Sequence, residues 1–218
     1  NNNIMVGVSL VFPDYISGLA ISISGCNEYF KISKNKISSL GSRFANSGCI
    51  IIDSSICQNS VIVNNFLYYG VSEQGGFGLS ISNSSGINVY YNTIQANLGL
   101  SGIGSCTNFT LSSSSQCNVK NNIFGGVRTS FNNSFNSSLV SDFNSFYFTP
   151  PITFGYNIVY NGTGYTNLNQ YQSASNNDLN STSTQVFFVS FDDLHLAGNS
   201  IGNESLVGTP IPGITEDI

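Results

Sequence analysis

The segments GLAISIS (residues 18–24), GCIIIDS (48–54), FGLSISN (77–83) and TNFTLSS (107–113) repeat one strand-like pattern. Their apolar positions predict two columns of equivalent residues, each with a spacing of 30. The columns are Leu19, Cys49, Leu79 and Phe109, and Ile21, Ile51, Ile81 and Leu111. Alternation of apolar and polar residues is typical of strands with one buried face. Such strands at a period of 30 residues indicate a solenoid, in which equivalent residues stack from coil to coil.

A second repeat, in KISKNKI, VIVNNFL, VYYNTI and VKNNIF, places one asparagine in each coil. These residues are Asn35, Asn65, Asn92 and Asn122. Asparagine tolerates the left-handed conformation of a tight turn, and its amide can bond to the coils on either side. We therefore expect a structural asparagine ladder at a turn between two strands of each coil. No helical periodicity runs through the repeats, which excludes helical solenoids.

Composition agrees with a β-rich chain. Of 218 residues, 30 are Asn and 36 are Ser, which are poor helix formers, while the 12% aromatic content argues against disorder. The net charge of −5 and the scarcity of Lys and Arg argue against nucleic acid as a partner. No apolar stretch reaches the ~18 residues of a membrane span, so we expect no membrane insertion by this segment.

The five cysteines are an odd number without a C-x-x-C pair, which argues against a full disulfide framework and a structural zinc site. We expect neither a metal nor a cofactor. Cys26 and Cys57 occupy nearly equivalent points of consecutive coils and are the candidate disulfide. Cys106 and Cys117 form the alternative pair.

The C-terminal part carries the motifs SDFNSFY (141–147), NLNQYQSAS (167–175) and NDLNS (177–181), then QVFFV (185–189) and DDLHL (192–196). Together with the coils, these motifs resemble the right-handed parallel β-helix of the pectin-lyase-like superfamily, in the form typical of secreted and surface-exposed bacterial proteins. The resemblance implies one all-β domain, with parallel β-helix coils over residues 1–140 and irregular C-terminal coils and a cap over 141–218. It also implies that the chain is the C-terminal portion of a larger polypeptide or assembly.

Two stretches are expected to depart from regular coils. Residues 125–141 are rich in Asn, Ser and Phe and predict a long loop or irregular coil. Pro150 and Pro151 predict a break before the cap.

No catalytic residue is predicted. Hydrolysis of a glycosidic bond needs a pair of carboxylates, and the predicted outward positions of the coils carry none. Asp192, Asp193 and the sole histidine, His195, lie in the closing motif, where the resemblance implies a structural role. Lys31 and Lys120 are predicted three coils apart, about 14 Å, which is too far for one general-base site.

Four tyrosines are the candidate glycan contacts, because aromatic rings stack on sugars while Asn and Ser supply hydrogen bonds. They are Tyr68, Tyr69, Tyr90 and Tyr91. The alternative is that these rings pack between coils and shield a strand edge.

Four apolar residues of the second coil are predicted to face outward and are the candidate protein contacts. They are Ile50, Ile52, Val61 and Val63. An exposed patch of this kind is rare on a monomer, so a partner or a flanking segment is expected to cover it.

These observations predict a secreted or cell-surface module for adhesion or structural display, with polysaccharides or other surface proteins as its partners. One alternative is a fragment of a polysaccharide lyase or glycoside hydrolase whose active coils lie upstream. The other is a subunit of an extracellular filament or surface assembly.

Overall fold

The computed structural model describes residues 19–39, 47–69, 76–96, 106–126, 129–134, 138–148, 157–190 and 193–215. These residues form a parallel β-helix, in which three parallel sheets run side by side and successive strands of one sheet come from successive coils. This arrangement confirms the predicted all-β class and the solenoid of repeated coils.

Sheet 1 comprises β1 (Leu19–Ser24), β4 (Ser47–Asp53), β7 (Gly76–Ser82), β10 (Cys106–Ser112), β13 (Thr129–Ser134), β16 (Ile158–Tyr160) and the antiparallel β17 (Thr163–Tyr165). Sheet 2 comprises β2 (Lys31–Ser33), β5 (Ile56–Val63), β8 (Ser85–Tyr90), β11 (Cys117–Lys120) and β14 (Leu139–Asp142). Sheet 3 comprises β3 (Lys36–Ser39), β6 (Phe66–Tyr69), β9 (Thr93–Ala96), β12 (Ile123–Gly126) and β15 (Ser145–Phe148). Helix α1 (Leu168–Ser175) follows, and two short 3-10 turns lie at Gly198–Ser200 and Glu204–Leu206.

Each coil turns sharply between sheets 2 and 3, and one residue there adopts a left-handed backbone. We call the turn between sheets 2 and 3 the second turn. Its left-handed residues, which have positive φ, are Lys34, Asn64, Tyr91, Asn121 and Phe143. The expectation that the ladder asparagine itself is left-handed is therefore wrong: the left-handed residue precedes it. Its φ reverses the chain, so the asparagine that follows can direct its amide inward.

The first two steps of sheet 1 are in a different register from the one that the 30-residue spacing predicts, whereas Leu79 pairs with Phe109 as predicted. Ile21 pairs with Ile50 and Ile50 with Leu79, so each of these steps is 29 residues. The prediction that Ile50 and Ile52 face outward is wrong, because both are fully buried while Ile51 is only half-buried. Cys49 and Ile50 are both buried although they are consecutive, so strict alternation fails at the start of β4.

The core is filled with stacked aliphatic and aromatic side chains. Towards the last coils, Phe109, Phe124, Phe131 and Phe146 form a chain of ring contacts with centroids 5.1–5.8 Å apart. Tyr171 of α1 continues this stack against Phe131. The helix thus covers the end of the hydrophobic interior, which an open solenoid would expose.

Residues 125–141 are more regular than predicted, because β13 lies inside this stretch and β14 begins there. The strands of sheets 2 and 3 continue to Asp142 and Phe148. Within the described residues, no helix has both the length and the apolar character to cross a membrane.

Candidate functional site

The asparagines of the second turn form a continuous ladder of buried hydrogen bonds. The Nδ2 of Asn35 donates to Oδ1 of Asn65 at 2.9 Å, Asn65 donates to Asn92 at 2.8 Å, and Asn92 donates to Asn122 at 3.0 Å. Asn144, which the repeat did not identify, extends the ladder by accepting from Asn122 at 3.0 Å. Since buried amides are costly unless paired, these bonds fix the second turn in each coil.

A buried carboxyl group ends the ladder. Asp178 is fully buried, and its Oδ1 accepts from Asn144 Nδ2 at 2.9 Å and from Ser181 Oγ at 2.6 Å. Its Oδ2 accepts from the Tyr171 hydroxyl at 3.2 Å. Burial raises the pKa of Asp178, although the hydrogen bonds lower it in part. The C-terminal motifs therefore meet in one network that closes the ladder.

The outer side of the second turn is crossed by a C-terminal segment, residues 193–209, which we call the strap. The Nδ2 of Asn121 donates to the Thr209 carbonyl at 2.7 Å, and the Thr209 N–H donates to Asn121 Oδ1 at 2.8 Å. The Tyr91 hydroxyl donates to the same carbonyl at 2.8 Å. At its other end the strap buries Leu194 in a small cluster with Phe66 and Tyr68. The strap is thus held at both ends against the coils.

Between the strap and the second turn lies a groove of about 330 Å³. Aromatic rings of three coils line it, namely Phe66, Tyr91 and Phe143. Amides and hydroxyls also line it, among them Asn121, Asn180 and Ser205. A volume near 300 Å³ with aromatic walls and a few polar groups is typical of a small-molecule site. No Asp or Glu is among the described residues that line this groove.

A histidine and an aspartate lie at the strap end near Phe66. The His195 ring contacts the Phe66 ring edge-on, with centroids 5.0 Å apart, and its Nδ1 is hydrogen-bonded to Asp193 Oδ1. This hydrogen bond, and then the one that the His195 backbone N–H donates to the same oxygen, hold the pKa of Asp193 below its ordinary value, with a smaller contribution from the positive charge of Lys36. The pair lies in the motif to which the resemblance assigns a structural role, and Asp192 lies outside the described residues.

The structure separates the four tyrosines predicted to contact glycans. Tyr68 and Tyr69 are buried, and the Tyr69 hydroxyl donates to Asn108 Oδ1 at 3.0 Å. For these two the interpretation as packing side chains is correct. Tyr90 is half-buried on the outer face of sheet 2, and burial raises its pKa. Only Tyr91 lies in the groove.

The apolar patch predicted from the second coil is not exposed. Ile50 and Ile52 belong to the core, and Val63 is only 2% exposed. Val61 alone is half-buried. The physical reason is the register of β4, which directs Ile50 and Ile52 towards the interior.

The predicted disulfide between Cys26 and Cys57 is not formed, and both residues are free thiols. The Cys57 Sγ donates to the Cys26 carbonyl at 2.9 Å, and the Cys26 Sγ donates to the Glu28 carbonyl. Burial and the neighbouring Cys26 raise the pKa of Cys57 to about 11. The coils are adjacent as predicted, but each thiol is directed to a carbonyl.

A second ladder, of serines, was missed. It lies at the turn between sheets 1 and 2, where Ser55 N–H donates to Ser84 Oγ and Ser84 N–H donates to Ser114 Oγ, both at 3.1 Å. The steps of 29 and 30 residues are visible in the sequence, but serine is so common here that they do not stand out. The residues joined by the strap hydrogen bonds are 88 and 118 positions apart in the sequence, and no repeat predicts these contacts.

Within the part of the chain that the structure describes, no group of three or more His, Cys, Asp or Glu is arranged to hold a metal ion. No protein-family model, curated protein or solved structure matches this chain.

Proposed function

We propose that this protein is a non-catalytic β-helix module, secreted or on the cell surface, that binds a neutral glycan in the groove beneath the strap. The observation that carries the proposal is the combination of aromatic and neutral polar side chains in one groove. Phe66, Tyr91 and Phe143 offer ring surfaces, Asn180 offers an amide, and Ser205 offers a hydroxyl. Sugars are bound by such mixtures because their C–H faces pack on rings while their hydroxyls hydrogen-bond.

The electrostatics of the groove favour an uncharged ligand. Its described lining residues carry no Asp, Glu, Lys or Arg. The chain has a net charge of −5, which works against an anionic polymer. Neutral polysaccharides do not need ionic partners, so amides and hydroxyls suffice to orient them.

The secreted or cell-surface location and the resemblance to pectin-lyase-like proteins are also part of the proposal. The motifs that resemble the bacterial pectin-lyase-like proteins contribute Ser141, Asn144, Tyr171 and Asp178 to the network that closes the ladder. Their role in this chain is to end the solenoid, so the likeness concerns architecture and is compatible with a non-catalytic function. Adhesion or structural display, through a rigid rod that holds a glycan, fits this architecture best.

A hydrolase or lyase is the second candidate, and the hydrogen-bonded His195 and Asp193 favour it. A histidine oriented by a carboxylate is a common general base. However, a glycosidase needs two carboxyl groups on either side of the bond, and the described groove residues supply none. A filament subunit is not proposed, because Ile50 and Ile52 are in the core.

The test is a panel of neutral and acidic polysaccharides, measured for binding by wild type and for release of reducing ends or unsaturated sugars. We expect binding of at least one neutral polysaccharide without product. The variant Tyr91→Asn removes the ring while keeping a residue that tolerates φ of 52°. It should weaken binding about tenfold, which corresponds to roughly 1.4 kcal/mol.

Tyr29→Asn is the matched control, because Tyr29 is exposed and lies outside the groove. It should bind as wild type does. Release of product by wild type would contradict the non-catalytic function, and equal affinity of Tyr91→Asn and wild type would contradict the groove as the site.

A further inference from the structure

Asp142 lies behind the wall of the groove and accepts hydrogen bonds from two residues that line it. Its Oδ1 accepts from the Asn180 N–H at 2.8 Å and from the Phe143 N–H at 3.0 Å, and its Oδ2 accepts from Asn180 Nδ2 at 2.8 Å. Asn180 and Phe143 are among the described residues that line the groove, whereas Asp142 is not. One carboxylate therefore holds both an amide and an aromatic residue of the same wall.

The hydrogen bond to Asp142 decides how the Asn180 amide is turned. A carboxylate only accepts hydrogen bonds, so the Asn180 atom that faces it is the donor Nδ2, and Oδ1 is directed away from it. The next residue is fixed as well, because Ser181 Oγ donates to the buried Asp178 at 2.6 Å. Among the described residues, nothing donates to Asn180 Oδ1. Since Asn180 is exposed, a ligand hydroxyl in the groove can reach this positioned acceptor.

The same carboxylate places a negative charge close to the ligand. A ligand group that hydrogen-bonds to the Asn180 amide lies about 7 Å from Asp142, one amide group and two hydrogen bonds away. This distance is within the screening length of about 8 Å at physiological ionic strength. Lys120 is the neighbour of Asp142 in sheet 2, but the described residues include no ion pair between them. A ligand carboxylate at this wall is therefore repelled, whereas a hydroxyl is not.

We infer that Asp142 is a positioning residue that sets the specificity of the groove. It orients Asn180 to accept a hydrogen bond from a sugar hydroxyl, and its charge repels sugars that carry a carboxylate. This inference rests on the proposed glycan binding and specifies the ligand class, which is a neutral sugar as opposed to a uronic acid. Asp142 acts through Asn180 and through its charge, without touching the ligand. Repulsion of the wrong ligand is a general means of specificity.

The test compares two forms of one glycan by titration calorimetry. One is the neutral polysaccharide that binds wild type, and the other is the same polymer after its primary hydroxyls have been oxidised to carboxylates. Wild type should bind the neutral form more tightly, and in Asp142→Asn the ratio of the two affinities should fall about tenfold. At about 1 M salt the ratio for wild type should also fall, because the screening length is then about 3 Å.

Asp53→Asn is the matched control, because it removes one carboxylate outside the groove, at the turn between sheets 1 and 2. It should leave the ratio unchanged. A double-mutant cycle tests the positioning of Asn180. Asn180→Ala should weaken binding of the neutral form about fivefold in the wild-type background and less than about twofold in Asp142→Asn, since Asp142 acts through this amide.

The ratio compares two ligands on one preparation, so it does not depend on what fraction of a variant is folded. An unchanged ratio in Asp142→Asn, or an equal change in Asp53→Asn, would overturn the inference. If Tyr91→Asn still weakens binding in that case, the proposed glycan site survives and only the role of Asp142 is wrong. If no polysaccharide binds, the proposed function and this inference fail together.

Discussion

The Nδ2 of Asn144 lies 2.9 Å from Oδ1 of Asp178, so the last amide of the ladder donates to a fully buried carboxyl group. A ladder of amides needs an end that accepts its last donor, and a carboxyl group does so while bonding to neighbouring hydroxyls. Ser181 and Tyr171 supply those hydroxyls from the segment after the last regular coil. The solenoid thereby ends in a polar network rather than in an open edge.

The first prediction concerns the pH dependence of stability. Burial raises the pKa of Asp178 above its ordinary value of 3.8, so the folded protein retains this proton to higher pH than the unfolded chain does. The resulting stabilisation is complete below that ordinary value and is lost as the pH rises through the folded-state pKa. In Asp178→Asn, which cannot ionise, this dependence should vanish.

The measurement is urea unfolding of wild type and Asp178→Asn at a series of pH values from 3 upwards. The free energy of unfolding of wild type, relative to that of Asp178→Asn, should fall as the pH rises. A difference that does not change with pH would show that the carboxyl group titrates normally.

The second prediction concerns the interior of the ladder. Asn92 Nδ2 donates to the Ile62 carbonyl, to the Tyr90 carbonyl and to Asn122, and its Oδ1 accepts from Asn65. Asn92→Ala removes all of these bonds and leaves buried groups unpaired. The free energy of unfolding should fall by roughly 2–4 kcal/mol, as measured by urea titration.

Asn118→Ala is the matched control, because Asn118 is half-buried on the outer face of sheet 2 and donates to Asn88 at 2.7 Å. Asn118→Ala should lower the free energy of unfolding by less than about 1 kcal/mol. Equal losses in the two variants would mean that the ladder stabilises the fold no more than a surface hydrogen bond does.

The ladder and the sheets were predictable because they repeat. Asparagines at steps of 30, 27 and 30 residues stand out in the sequence. Each buried amide needs a hydrogen-bond partner, and the asparagine of the next coil supplies it. The register of β4 was not predictable. Ile50, Ile51 and Ile52 are identical residues, so no apolar–polar alternation shows which of them face the interior. The groove was not predictable either, because it depends on contacts between the turns and a strap that belongs to no repeat.

The third prediction concerns the strap. The Thr209 N–H donates to Asn121 Oδ1, and the Thr209 carbonyl accepts from both Asn121 and Tyr91. Asn121→Gly removes the amide and retains a residue suited to φ of 59°. Hydrogen exchange at the Thr209 amide should accelerate at least tenfold, because its protecting acceptor is gone.

Tyr91→Phe serves as the comparison for the strap, because it removes one bond to the Thr209 carbonyl and leaves the N–H bond in place. Exchange at Thr209 should change less in Tyr91→Phe than in Asn121→Gly. The same exchange rate in wild type and Asn121→Gly would show that the Asn121 side chain does not hold the strap.

The fourth prediction concerns thiol reactivity. Cys49 is fully buried, and burial raises its pKa strongly. Burial also raises the pKa of Cys117 to about 11, and that of Cys57 is about 11. Cys26 is only partly buried. Because the thiolate is the reactive form, iodoacetamide at pH 8 should modify Cys26 before these three in the native protein.

Peptide mass spectrometry after a time course of alkylation identifies the order, and the same experiment in urea should remove the differences between the four residues. If Cys26 resists alkylation until a reductant is added, the two thiols of the adjacent coils are oxidised in the isolated protein. Alkylation of Cys49 as fast as that of Cys26 would contradict the burial of Cys49.

A crystal structure of the protein with a bound oligosaccharide is the most direct test of whether the groove beneath the strap is the glycan site. We expect electron density for the sugar between the strap and the second turn, in contact with Tyr91. Sugar bound instead on the outer face of sheet 2, around Tyr90, with the groove empty, would contradict it.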